Sequence, residues 1–233
     1  MIFFTKLHVW IIDYLHAMSL YGQLLIHRHP PEHYLGYIDS AKVPVLLIPG
    51  VNTKWHFLKR ISDQISLAGH PVYVVKKLGY NRQAIPVSAQ IVRDFLVDND
   101  LQNVIILAHS KGGLIGKEVL LRHNQDRKVI KVIAIAAPFL GSKMAVNMPD
   151  KALAELSPTS SILQDHNSSL LVNKDIISIY GWYDNHVWPT EHSVLEGAAN
   201  IKVETGGHHQ ILSNPKTKQV VLEEIANITQ QVR

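Results

Sequence analysis

The sequence predicts an α/β fold: a mainly parallel, doubly wound sheet of about six strands flanked by helices and preceded by an N-terminal amphipathic helix. Three observations carry this expectation. Short β-branched apolar runs alternate with stretches of helical spacing along most of the chain. Most of those runs are continuous rather than alternating, as expected of strands covered on both faces. Strand–helix–strand order closes through right-handed crossovers, which makes neighbouring strands parallel.

The first element is "MIFFTKLHVWIIDYLHAMSLYGQLLI". Lys6, His8, Asp13 and His16 interrupt it, so no unbroken stretch reaches the roughly 18 apolar residues of a spanning helix. It lacks a basic start and a small-residue cleavage site, which argues against a secretory signal. On a helical wheel Thr5, His8, Asp13, His16, Ser19 and Gln23 share one side, opposite Trp10, Ile11, Tyr14, Met18, Tyr21 and Leu25. One reading makes the helix a cap on the core. The other makes residues 1–26 a contact with a membrane surface or a second copy, since Trp and Tyr suit interfaces. "HPPEHYLGYIDSAK" (29–42) then reads as a polar linker, setting 1–40 apart from one domain at 41–233.

Strands follow at "VPVLLI" (43–48), "PVYVV" (71–75), "NVIIL" (103–107), "VIKVIAIAA" (129–137), "DIISIYG" (175–181) and "NIKVE" (200–204), with helices at 54–68, 86–98, 112–124 and 217–232. The interval 138–174 breaks the rhythm. Rich in Pro, Ser and Asn, it reads either as a packed connection or as a small cap over a pocket.

Composition excludes several functions. The chain has no cysteine, so neither a disulfide framework nor a thiolate site exists, which leans towards a reducing, cytoplasmic setting, with membrane association left to the first helix. Its net charge of +4 is scattered and forms no nucleic-acid stripe. The 14 histidines show no H-E-x-x-H spacing, so neither a metal nor another cofactor is expected.

The chemistry gathers at "VIILAHSKGGLIGK" (104–117). "AHSKG" is the G-x-S-x-G pattern with alanine in the first place, following a strand and opening a helix. Ser110 at so sharp a corner has its hydroxyl raised beyond the carboxyl end of the sheet, where open parallel sheets bind ligands. The residues two before and two after must be small, and Ala108 and Gly112 are. A serine that merely caps a helix explains less, because an acid and a histidine follow in the matching order.

Serine needs a base, and the base an orienting acid. Asp184 lies just beyond the strand 175–181. Asp175 starts that strand at the wrong end, Asp165 sits in the irregular interval, and Glu191 lies further along the loop. After the strand 200–204 come His208 and His209, and Gly206–Gly207 free the backbone immediately before His208, which is preferred. The expected catalytic set is therefore Ser110, Asp184 and His208. An oxyanion hole would come from the backbone N–H groups of Lys111 and of Val51 after Gly50. The Lys111 side chain is expected at the surface. Asn52, His109 and Leu140 are expected to bind substrate, and His186 to stand in the pocket wall.

"VPVLLIPGVNTKWHFL", "AHSKGGLIGK", "AIAAPFLGS", "YDNHVWP" and "GGHHQIL" together resemble the α/β-hydrolase superfamily, in its compact bacterial lipase/esterase-like branch, over about residues 43 to 215. The resemblance implies the α/β-hydrolase fold and a cofactor-free serine hydrolase acting on small-molecule or lipid esters, with Ser110, Asp184 and His208 as its triad and Val51 at the oxyanion position. Pro49 stands where many relatives carry histidine, a change of side chain that leaves the amide of Val51 in place. A thioesterase, amidase or acyltransferase would use the same triad, and a non-catalytic ligand-binding member would keep only the pocket.

Overall fold

The computed structural model describes residues 2–232, and its side chains from Thr5 onward. The chain begins with helix α1 (Ile2–Ile26), followed by the short α2 (His33–Gly36) inside the segment read as linker. Strand β1 (Val45–Ile48), α3 (Lys59–Leu67), β2 (Val72–Val74), α4 (Ile85–Asp98), β3 (Val104–His109), α5 (Lys111–Arg122) and β4 (Val129–Ile135) follow the expected alternation. Then come α6 (Lys151–Ala154), α7 (Ser161–Ser168), β5 (Ile176–Tyr183), β6 (Ala199–Gly206) and α8 (Pro215–Val232).

Six strands form one wholly parallel sheet in the order β2-β1-β3-β4-β5-β6. The chain leaves β1 for β2 on one side and returns to place β3 on the other. The carboxyl ends of β1 and β3 therefore flank the topological switch point, where the loops diverge and leave a crevice.

Burial explains the continuous apolar runs. All four residues of β1 and all six of β3 are buried. On one face Leu46, Ile48 and Ile106 pack with Ile85, Ala89 and Val92 of α4 and Leu114, Ile115 and Val119 of α5. On the other, Val45, Leu47 and Ile105 meet Ile61 and Ile65 of α3, Val221 and Ile225 of α8, and Leu20 of α1. Each fully buried aliphatic side chain contributes about 1.5–3 kcal/mol relative to exposure.

The first helix seats itself against the expectation from its wheel. Asp13, Ala17 and Leu20 are buried, whereas Ile11, Leu15, Met18 and Leu25 are exposed, Leu25 by 81%. Asp13 and His16 of the polar side face the protein, where they find partners, while Thr5, His8 and Ser19 stay exposed: Asp13 meets the His209 turn, and His16 Nε2 lies 2.9 Å from Ser213 Oγ. By length and composition Thr5–Ile26 is also long and apolar enough to cross a membrane, its polar residues notwithstanding.

The interval 138–174 is fastened to the body. Buried His166 of α7 lies 2.7 Å from Glu118 of α5, and Ser142 Oγ donates to the His186 carbonyl. The Lys111 side chain corrects its expected surface position. It is fully buried and bonds to the carbonyls of Gln83 and Ala152, with Glu155 at 3.2 Å. Glu155 also accepts from the Ile85 N–H, so one buried cation ties the start of α5 to α4 and to α6.

Candidate active site

β3 ends at His109, and the next residue, Ser110, has φ of 53° and ψ of −126°, sparsely populated for a residue with a side chain. The corner holds because the strand ladder continues through it: Ser110 N–H donates to Ile135 O at 2.9 Å, and Gly113 N–H bonds back to Ser110 O. Its crowding dictates small neighbours. A Cβ on Gly112 would stand 2.3 Å from the Ile48 carbonyl oxygen, and one on Gly50 would stand 3.1 Å from Cβ of Ser110.

Ser110 faces a cavity of about 340 Å³ shared with Gly50, Val51, Asn52, His109, His186 and His208. Met144, Met148, Leu153, Leu156 and Val187 line it as well, together with Tyr14, Ala17 and Tyr21 of α1. The cavity is thus built jointly by the β1 and β3 turns, the interval 138–174 and the first helix. Leu140 lies elsewhere, with an exposed side chain and its N–H bonded to His192 O.

Asp184 and His208 meet as their loops converge. Nδ1 of His208 donates to Oδ2 of Asp184 at 2.8 Å, and Oδ1 accepts from the N–H groups of His186 and Val187 at 2.7 and 2.8 Å. Burial alone would raise the Asp184 carboxyl, but the charge and hydrogen bond of His208 and the two amides hold it below its ordinary value. Burial alone would lower His208; the Asp184 carboxylate outweighs this and raises it. The rival acids stand apart: Asp165 pairs with Arg122 and Asp175 with Lys131.

Three further histidines surround His208. The His186 ring stacks on it at 4.7 Å, nearly parallel, and His109 Nε2 donates to the His208 carbonyl at 3.1 Å. Burial and the neighbouring His208 and His209 push His186 down to about 3; burial also drives His109 well down. Both rings are therefore neutral near pH 7.

Two residues sequence reasoning left out complete the turn. Oδ1 of Asp13 accepts from the N–H groups of His209 and Gln210 at 2.7 and 2.9 Å. Its Oδ2 accepts from His209 Nδ1 and Asn185 Nδ2. Asn185 in turn accepts the His208 N–H at 2.9 Å. Burial would raise the Asp13 carboxyl, but His209 and the amides hold it far below the carboxylate range. The only available signal was an acidic residue inside an apolar helix, on the polar side of its wheel. Asp13, His186 and His209 also place metal-capable atoms within 4.8 Å of one another, but four N–H donors already occupy the Asp13 carboxylate.

Comparison with known proteins bears on the fold. Bacillus licheniformis lipase BlEst2 in its mature form superposes with a TM-score of 0.64 at 15% identity, over 82% of this chain and 95% of that one. Aspergillus fumigatus lipase B gives 0.63 at 18%, over 85% and 55%. Paleococcus ferrophilus monoacylglycerol lipase gives 0.58 at 12%, over 80% and 96%. No curated protein matches the sequence. The chain has the α/β-hydrolase fold, and a model of the PGAP1-like alpha/beta domain matches residues 63–228. Spanning β2 through most of α8, and so more than half of the chain, that match makes this protein a member of the PGAP1-like alpha/beta domain family.

Proposed function

We propose that this protein is a serine hydrolase of carboxylic esters, with Ser110 as nucleophile, His208 as general base and Asp184 as the acid that orients it. The observation that carries the reading is Ser110 at positive φ, facing one cavity with a His208 whose Nδ1 is already held by Asp184. With Nδ1 so committed, Nε2 is the basic nitrogen. It takes the Ser110 proton as Oγ attacks the ester carbonyl, then returns it to the leaving alcohol; water releases the acyl group by the same route. The N–H of Lys111, first in α5, has no intrahelical acceptor, and among the described residues that of Val51 has none either. Both are suited to the developing oxyanion. The lipases that share the fold support an ester as substrate.

Fluorophosphonate labelling read by intact mass tests this. The wild type should gain a single adduct, Ser110→Ala none, and His208→Ala should react at least 100-fold more slowly. Equal labelling of Ser110→Ala overturns the assignment.

The site also favours an ester held at a lipid surface. Tyr14 and Tyr21 belong both to the outward side of α1 and to the cavity wall, so the apolar face carrying Leu15 and Met18 runs into the entrance. Deleting the helix would remove Asp13, so point changes are the sound test. The wild type should float with vesicles and Leu15→Glu/Met18→Glu should not; no flotation of the wild type, or equal flotation of both, refutes the lipid contact.

A further inference from the structure

Helix α1 runs past two cavities. Beyond the one holding Ser110, its last turn meets a larger cavity of about 500 Å³ on the other side of the segment 49–54. Pro49 and Lys54 line this second cavity, whereas Gly50 to Thr53 line the first.

Its wall is one-sided in charge. Arg28, Lys54 and Lys76 line it with His27, His29 and His56, and among the described residues no aspartate or glutamate does. Glu32 lines only the adjoining groove. Several cations elsewhere do pair with acids: Lys59 with Asp63, Arg82 with Asp150, Arg93 with Asp126, Arg122 with Asp165. Among the described residues Arg28 and Lys76 have no ion pair, and Lys54 has only the face of Tyr80, at 4.3 Å. His56 is buried, stacked on Trp55, with Nε2 donating to the His27 carbonyl and Nδ1 unpartnered. Arg28 and Lys76 are exposed and Lys54 is half-buried, and like charges gathered along a concave, partly apolar site focus a positive potential that attracts an anion.

We propose that this cavity is a binding site for a phosphate group. Three permanent cations suit an anion of more than one charge with several acceptor oxygens, which a single carboxylate is not. The group arrives on a lipid headgroup or as a free phosphate. Leu25 and Ile26, exposed by 81% and 75% at the end of the apolar face, put the cavity beside the proposed lipid contact. Binding here requires no turnover at Ser110 and stands apart from the hydrolase assignment.

The test uses the full chain carrying Ser110→Ala, so that binding is read without turnover. Inorganic phosphate is titrated calorimetrically, and sedimentation compares phosphatidylcholine vesicles with vesicles also containing phosphatidic acid. Arg28→Glu/Lys76→Glu should weaken phosphate binding at least tenfold, while Lys202→Glu, exposed on β6, should leave it unchanged. A measurement without variants accompanies it: phosphate should slow acetylation of Lys54 and Lys76 but not of Lys202. Cosedimentation only with phosphatidic acid, lost in the double variant, supports a lipid source; phosphate binding without cosedimentation supports a soluble one. No phosphate binding, equal weakening by Lys202→Glu, or uniform lysine acetylation overturns the site.

Discussion

Asp13 and His209 are 196 positions apart in the chain, yet the Asp13 carboxylate accepts both the backbone N–H and Nδ1 of His209, at 2.7 and 2.9 Å. The contact fixes the turn in which His208 is the preceding residue. Gly207 shows how close the approach is: its φ is +101°, and a Cβ there would stand 2.6 Å from Asp13 Oδ1. The first helix, which lies outside the family match at 63–228, therefore shapes the candidate site.

Asp13→Asn keeps the volume but turns one acceptor into a donor aimed at donors. A base displaced by a fraction of an ångström is costly, so kcat should fall by roughly ten- to a hundredfold with KM little changed. Steady-state kinetics on a soluble p-nitrophenyl ester check this. A loss confined to KM would show that Asp13 does not act through the His208 turn.

The pH profile should report one group. His208 is raised above 6.5 by Asp184 and must be neutral to act as base. kcat/KM should therefore rise with pH through a value above 6.5 and then level off. The linkage has the opposite sense for stability: the raised His208 contributes fully below its unfolded value, and the contribution is lost as pH rises through the folded one. His109, His186 and His209 are all lowered, so no further histidine inflection is expected on the alkaline side.

Gly112→Ala should be poorly tolerated. Its methyl group would meet the Ile48 carbonyl at 2.3 Å and the Pro49 carbonyl at 2.9 Å, both backbone atoms. A loss of about 3 kcal/mol in urea unfolding is expected. A variant as stable as the wild type would show that α5 can move away from β1.

Among the described residues Lys117 is a buried cation without a partner. Its side chain is fully buried, its Nζ has no hydrogen bond, and burial lowers it to about 8. The unfolded chain binds more protons between that value and 10.5, so stability should rise with pH across this window. Lys117→Met should stabilise the protein by about 1–3 kcal/mol at pH 7 and flatten that rise. Unfolding midpoints at pH 7 and 10 measure both effects.

Much of this was legible in the chain itself. Continuous apolar runs marked β1, β3, β4 and β5 because a strand covered on both faces has no solvent side, whereas the edge strand β6 is mostly exposed or half-buried and its run alternates. The small residues around Ser110, and the order serine, acid, histidine after β3, β5 and β6, pointed to the candidate site, since both follow from local geometry and a parallel sheet. The seat of α1, the burial of Lys111 and the reach of Asp13 were decided by tertiary structure alone. A helical wheel ranks residues by affinity for water, but a buried carboxylate with four N–H donors is satisfied as water would satisfy it. Those donors come from loops more than 170 residues away, and only the closed fold brings them to the helix.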